Sequence, residues 1–167
     1  MTEVPEARLS RAVRLREDGE PVRARELLLA LRAEFPADPL IAYQTAWVHD
    51  VLELEEEAVP HYRAAIAGGL PDEQMRDAML GLGSTLRVLG RDDEAAEVFA
   101  EGLRRFPGHR PLRVFQAMLR HNAGDSREAV ADLLRVLVES TGDPDIRQYG
   151  RAISAYAEDL DRGRPHP

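Results

Sequence analysis

An all-α repeat fold is what this sequence predicts, on three observations. A small residue is followed twelve positions later by an alanine four times over, at Ala12/Ala24, Ala46/Ala58, Gly83/Ala95 and Ala117/Ala129. Each pair brackets a turn position, Gly19, Glu53, Gly90 or Gly124; the first two turns are 34 residues apart, as are the last two, while the middle interval is 37. Prolines punctuate the stretches between these segments, at Pro36 and Pro39, Pro71, Pro107 and Pro111, and Pro144. A period of this length is that of stacked helical hairpins, each too small to bury its apolar face except against a neighbour.

Each segment reads in order as helix, tight turn, helix and loop. Glycine suits the turn because it accepts the positive φ common just past a helix end. The second helices then open on start signals: Pro21 fits a first helical position, and Asp125 with Glu128 reads as a capping pair. Asp38-Pro39 and Asp143-Pro144 repeat the order of cap then proline. Three extra residues of the long middle interval fall near Leu70 to Gln74 and are expected in the loop between repeats. The paired small residues mark where two antiparallel helices cross so closely that only a methyl group or a hydrogen fits. A bulky replacement at Ala58 or Ala95 is expected to cost about 1–3 kcal/mol through overpacking.

Four repeats result, at 5–38, 39–75, 76–109 and 110–143, in a single domain spanning 1–167. A ninth helix is expected over 145–160, with residues from 161 onward as a tail. Its residues Tyr149, Ile153, Tyr156 and Leu160 fall on one helical face, which should cover the open end of the last repeat.

These landmarks resemble the tetratricopeptide repeat (TPR) family, whose 34-residue unit carries small residues at its eighth and twentieth positions. The best match runs through Leu82, Gly83, Gly90, Ala95, Phe99 and Pro107, and the next through Ala117, Gly124, Ala129 and Leu133. The aromatic usual at the fourth position is absent, its places being held by Arg8, Ala42, Met79 and Arg113. The stretches Ala46-Trp47-Val48-His49-Asp50 and Leu80 to Thr85 also resemble small stand-alone bacterial TPR proteins without assigned activity. The resemblance implies a right-handed superhelix of four hairpins plus a capping helix. It also implies a noncatalytic protein-interaction module that takes a peptide or helix on its concave face.

Projecting the family's groove positions onto this chain places Tyr43, Trp47 and Asp50 from the second repeat in the binding face. Leu80, Ser84 and Arg87 follow from the third, Val114, Met118 and His121 from the fourth, and Leu9, Val13 and Arg16 from the first. The site expected on these grounds consists of Tyr43, Trp47, Asp50, Ser84, Arg87, Met118 and His121, with the single tryptophan as anchor. Packing of Tyr43 and Trp47 inside the solenoid is the competing reading. The family's carboxylate clamp is missing, since its places hold Leu9, Val13, Asp77 and Gly81.

Composition narrows the remaining classes. The chain has no cysteine, which excludes disulfides and thiolate chemistry, and no apolar run long enough to span a membrane. No signal peptide is read at its start, so a cytoplasmic location is expected. A net charge of −8, spread along the chain, argues against nucleic acid as the partner. His49 with Glu53 and Glu57 with His61 stand four apart and suggest a metal-dependent enzyme as the least favoured alternative. No HExxH or Cys/His spacing supports it, and no metal or cofactor is expected. Glu53 to Glu57 reads as a solvated turn and helix start, whose acids suit the helix dipole. Gly81-Leu82-Gly83 lacks a preceding strand and a third glycine, so it is no dinucleotide loop. A self-associating homodimer is the structural alternative to ligand binding.

Overall fold

The computed structural model describes residues 5–161, which are helical with no strand among them; the tail from residue 162 onward lies outside the described residues. Eight helices form the four hairpins: α1 Pro5–Glu17, α2 Pro21–Glu34, α3 Pro39–Val51, α4 Glu55–Ala67, α5 Asp72–Val88, α6 Asp92–Arg105, α7 Arg110–Asn122 and α8 Ser126–Ser140. Two more, α9 Pro144–Gln148 and α10 Gly150–Glu158, come after them.

The four turns are copies of one device. Gly19, Glu53, Gly90 and Gly124 all have positive φ, of 79°, 57°, 70° and 90°. The next residue's amide then reaches back five positions: Glu20 to Leu15, Leu54 to His49, Arg91 to Leu86 and Asp125 to Arg120, at 2.8–2.9 Å. This is the closing bond of a glycine-type helix terminus. Glu53 performs it without being glycine, at a cost of about 1–2 kcal/mol for the left-handed backbone.

The small pairs sit where the sequence puts them: Ala12, Ala24, Ala46, Ala58, Ala95 and Ala117 have no exposed surface, Ala129 is 3% exposed and Gly83 is buried. Asp38 caps α3 by accepting from the amides of Leu40 and Ile41, and Asp143 caps α9 through the amide of Asp145. Asp125 makes no such side-chain bond, so the expected capping pair with Glu128 does not form.

The longer middle interval corrects a second expectation. Gly68 to Pro71 is a loop no longer than Phe35 to Asp38 or Phe106 to His109. The extra length lies in α5, which has 17 residues where α1, α3 and α7 have 13. About one added turn keeps Gly83 on the same helical face as its counterparts. Because α5 begins at Asp72, the expected repeat boundary at 75/76 falls inside a helix.

Where the sequence reading takes 1–167 as a single domain, internal contacts divide the chain into two compact units, one up to Val98 and one from Phe99, with the division inside α6. In the N-terminal unit consecutive helices pack as hairpins, and α3 touches both α1 and α5, so these first helices line one face. Ala12, Ala24, Leu28 and Val48 form a core there, backed by Leu9, Leu15, Leu27 and Leu52. In the C-terminal unit α8 packs between α7 and α10. The expected continuous ninth helix is broken at Tyr149. Its expected apolar stripe is also displaced: Tyr149 and Tyr156 are 61% and 57% exposed, while Gly150 and Ala157 are buried.

Candidate functional site

The face built from α1, α3 and α5 carries an open hollow of about 360 Å³. Leu9, Val13 and Leu40 give it apolar walls, and Ser10, Arg14, Gln44 and Gln74 bring polar groups to it. Leu9 and Val13 are groove positions read from the sequence; Gln44 and Gln74 are not.

Arg16 of the first repeat connects Gln44 of this hollow with Trp47, which it holds in place. The Arg16 guanidinium carbon lies 3.7 Å from the Trp47 ring centroid, and Arg16 Nη1 donates to Gln44 Oε1 at 2.6 Å. Only 7% of the Arg16 side chain is exposed, and burial pulls its pKa below the usual arginine range. A desolvated cation over an indole contributes about 1–2 kcal/mol. Trp47 therefore keeps 39% of its surface in solvent while its orientation is fixed.

Tyr43, one turn earlier, behaves differently. It is 3% exposed, lies 5.6 Å from the Trp47 ring and 6.5 Å from that of Tyr62, and burial raises its phenol pKa. Of the aromatic pair read as anchors, the structure puts Trp47 at the surface and Tyr43 in the core, where it supports the tryptophan.

Asp50 is likewise engaged inside. Tyr62 Oη donates to its Oδ2 at 2.6 Å, and Thr85 Oγ1 lies 2.9 and 3.1 Å from its two oxygens. Burial raises the Asp50 pKa, against the opposing effect of these hydrogen bonds. The lock depends on Gly81: a Cβ there would lie 2.4 Å from Tyr62 Oη, so only glycine admits the ring. Sequence reasoning missed this contact, although Tyr62 stands four residues after the repeat alanine, where Phe99 stands in the next repeat.

Ser84 and Arg87 are half-buried on α5. Met118 and His121 lie on α7 in the C-terminal unit; Met118 is 40% exposed, and exposed His121 has its Nδ1 2.8 Å from Ser126 Oγ. The structure thus brings Tyr43, Trp47 and Asp50 together through shared neighbours.

The two histidines read with acidic neighbours lie against each other. Glu53 sits in the left-handed turn beyond α3, so it does not share a helix face with His49. His49 is 1% exposed; Arg25 Nε donates to its Nε2 at 3.0 Å, which leaves Nδ1 protonated to donate to the Thr45 carbonyl at 2.6 Å. The His61 ring stacks 5.1 Å from it, and burial, with the neighbouring His49, Arg32 and Arg25, pushes its pKa down to about 4. The His61 ring is therefore neutral near pH 7.

The class defined by this geometry is a helical-hairpin repeat protein with a hollowed face of first helices. The family model for the tetratrico peptide repeat matches residues 39–160, and the chain belongs to that family. Among solved structures, YrrB, described as a TPR protein with an unusual peptide-binding site, aligns with a TM-score of 0.68 and 19% identity, over 93% of this chain and 78% of its own. TTC0263, a thermophilic TPR protein of Thermus thermophilus, aligns with a TM-score of 0.60 and 23% identity, over 96% of this chain and 84% of its own. At these identities the likeness is one of fold. No curated protein matches the sequence. No helix among the described residues is long and apolar enough to cross a membrane.

Proposed function

We propose that the chain is a noncatalytic interaction module that holds a segment of another protein on the α1, α3 and α5 face. The observation that carries this reading is Trp47, fixed by Arg16 yet partly in solvent, and connected through Arg16 and Gln44 to a hollow with apolar walls and amide side chains. A rigid aromatic loses little entropy on binding, and an apolar hollow with a few polar groups suits a peptide side chain next to its backbone. The peptide-binding site for which YrrB is described supports the choice of ligand class. Trp47, Ser84 and Arg87 are the direct contacts in this reading, with Tyr43 and Asp50 beneath them. Met118 and His121 offer contacts of their own on the C-terminal unit.

Capture of partners from a lysate, with wild type and Trp47→Ala compared at equal helicity by circular dichroism, tests the proposal. Loss of captured protein with unchanged helicity supports it. Capture that survives the substitution, or a fold that collapses with it, removes Trp47 from the site.

A further inference from the structure

In the repeats that precede the last, the residue four positions after the repeat alanine is sealed: Leu28 is 1% exposed, Tyr62 3% and Phe99 0%. The seal comes from the first helix of the following hairpin, as Tyr62 shows by fitting against Gly81 of α5. Its equivalent in the last repeat, Leu133, is 39% exposed. The cause lies in where the chain turns next. Although α9 starts 34 residues after α7, at the repeat period, the helices beyond α8 do not take the stacking position. Instead α10 lies along another side of α8. A Cβ on Gly150 would lie 3.4 Å from Val138, Arg135 reaches the Ala157 carbonyl at 3.4 Å, and Arg127 pairs with Asp159 and Asp161.

The side of α8 left open is a seam. Ser126, Val130, Leu133, Leu137 and Ser140 recur at alternating spacings of four and three, the pattern by which one helix packs along another. Val130 is 47% exposed and Leu137 38%. The seam carries no charge. Around it Arg127, Asp132, Arg135 and Glu139 are ion-paired within the C-terminal unit, to Asp159 and Asp161, to Arg120, to Glu158, and to Arg113.

We propose that this seam pairs two copies of the chain, α8 against α8 in antiparallel fashion about a two-fold axis at Leu133. The seam is symmetric about its own centre: Leu133 then meets Leu133, Val130 meets Leu137, and Ser126 meets Ser140. Two chains of net charge −8 repel wherever charged faces meet, so an uncharged face is where approach costs least. Arg162 to Pro167 contains two arginines and no large apolar side chain, which does not match the seam's chemistry. One helix pair buries less than the roughly 1,200 Å² of a standard stable interface, so the dimer is weak and reversible.

Sedimentation equilibrium over a concentration series reads this directly. Wild type should pass reversibly from monomer to dimer in the micromolar range. Leu133→Glu and Val130→Glu should each weaken association at least about tenfold with helicity unchanged. Mixing Leu133→Glu with Leu133→Lys should restore it, which a merely unfolded variant would not do. Should Leu133→Glu lose helicity, Val130→Glu decides. A wild type that stays monomeric to about 1 mM overturns the proposal, including the case in which the seam serves a different protein. So does a dimer indifferent to both glutamates, or one dissolved by Trp47→Ala instead.

Discussion

The second and fourth hairpins place equivalent residues in opposite environments. Tyr62 and Leu133 both stand four residues after the repeat alanine, yet one is 3% exposed and the other 39%. The next helices in the chain make the difference: α5 brings Gly81 against Tyr62, whereas α10 turns to another side of α8. A repeat position states which way a side chain points, and the neighbouring hairpin decides whether it is buried. The fourth hairpin is accordingly the place to look for contacts that the chain does not make with itself.

Denaturation of paired variants probes this contrast most strongly. Tyr62→Ala is expected to cost about 3–5 kcal/mol, since it empties a sealed aromatic site. Leu133→Ala should cost about 1 kcal/mol or less in the monomer. Equal losses would abolish the distinction. Gly81→Ala comes next, at roughly 1–3 kcal/mol in a thermal melt, because the new Cβ displaces Tyr62 from Asp50. A smaller effect of opposite sign is expected at the turns: Glu53→Gly should stabilise by roughly 0.5–1 kcal/mol, whereas Gly90→Ala should destabilise by about 1 kcal/mol.

A separate effect concerns pH. His61 takes up its proton near its ordinary 6.5 in the unfolded chain but only near 4 when folded, because of burial and the adjacent His49, Arg32 and Arg25. Between those values the unfolded state carries the extra proton, so stability should fall as pH drops from 6.5 toward 4. A His61→Gln variant should lose that slope in urea titrations across the same window. Glu34 and Glu139, held below 4.5 by hydrogen bonds from Arg8 and Arg113, act in a separate and more acidic range.

Much of the fold was legible because its strictest requirement is local. Where helices cross at Ala12/Ala24 or Ala46/Ala58, a small residue is demanded whatever surrounds it, and these positions kept the register across an interval of 37. The same spacing did not reveal that the added residues extend α5, since loop and helix cost the same in sequence length. Nor did it foresee the break at Tyr149 or which side of α10 is buried. A stripe of Tyr149, Ile153, Tyr156 and Leu160 is a valid helical face, but the buried side was chosen by Gly150 and Ala157, which admit close contact with α8.

The candidate site was legible in part for the same reason. Tyr43 and Trp47 lie about 40° apart around a helix, less than helical periodicity resolves at the edge of a buried face. Their fates part through contacts from elsewhere in the chain: Tyr62 closes on Tyr43, and Arg16 of the first repeat stacks on Trp47. No local signal in the second repeat announces that arginine.

The single tryptophan makes one measurement decisive for the interaction face. Acrylamide quenching of Trp47 emission should show intermediate accessibility in the free protein and lower accessibility once a captured partner segment is added, with Arg16→Gln raising accessibility in the free state. Emission that resists quenching from the start, or that a bound segment leaves unchanged, would contradict the assignment of Trp47 as the anchor of this face.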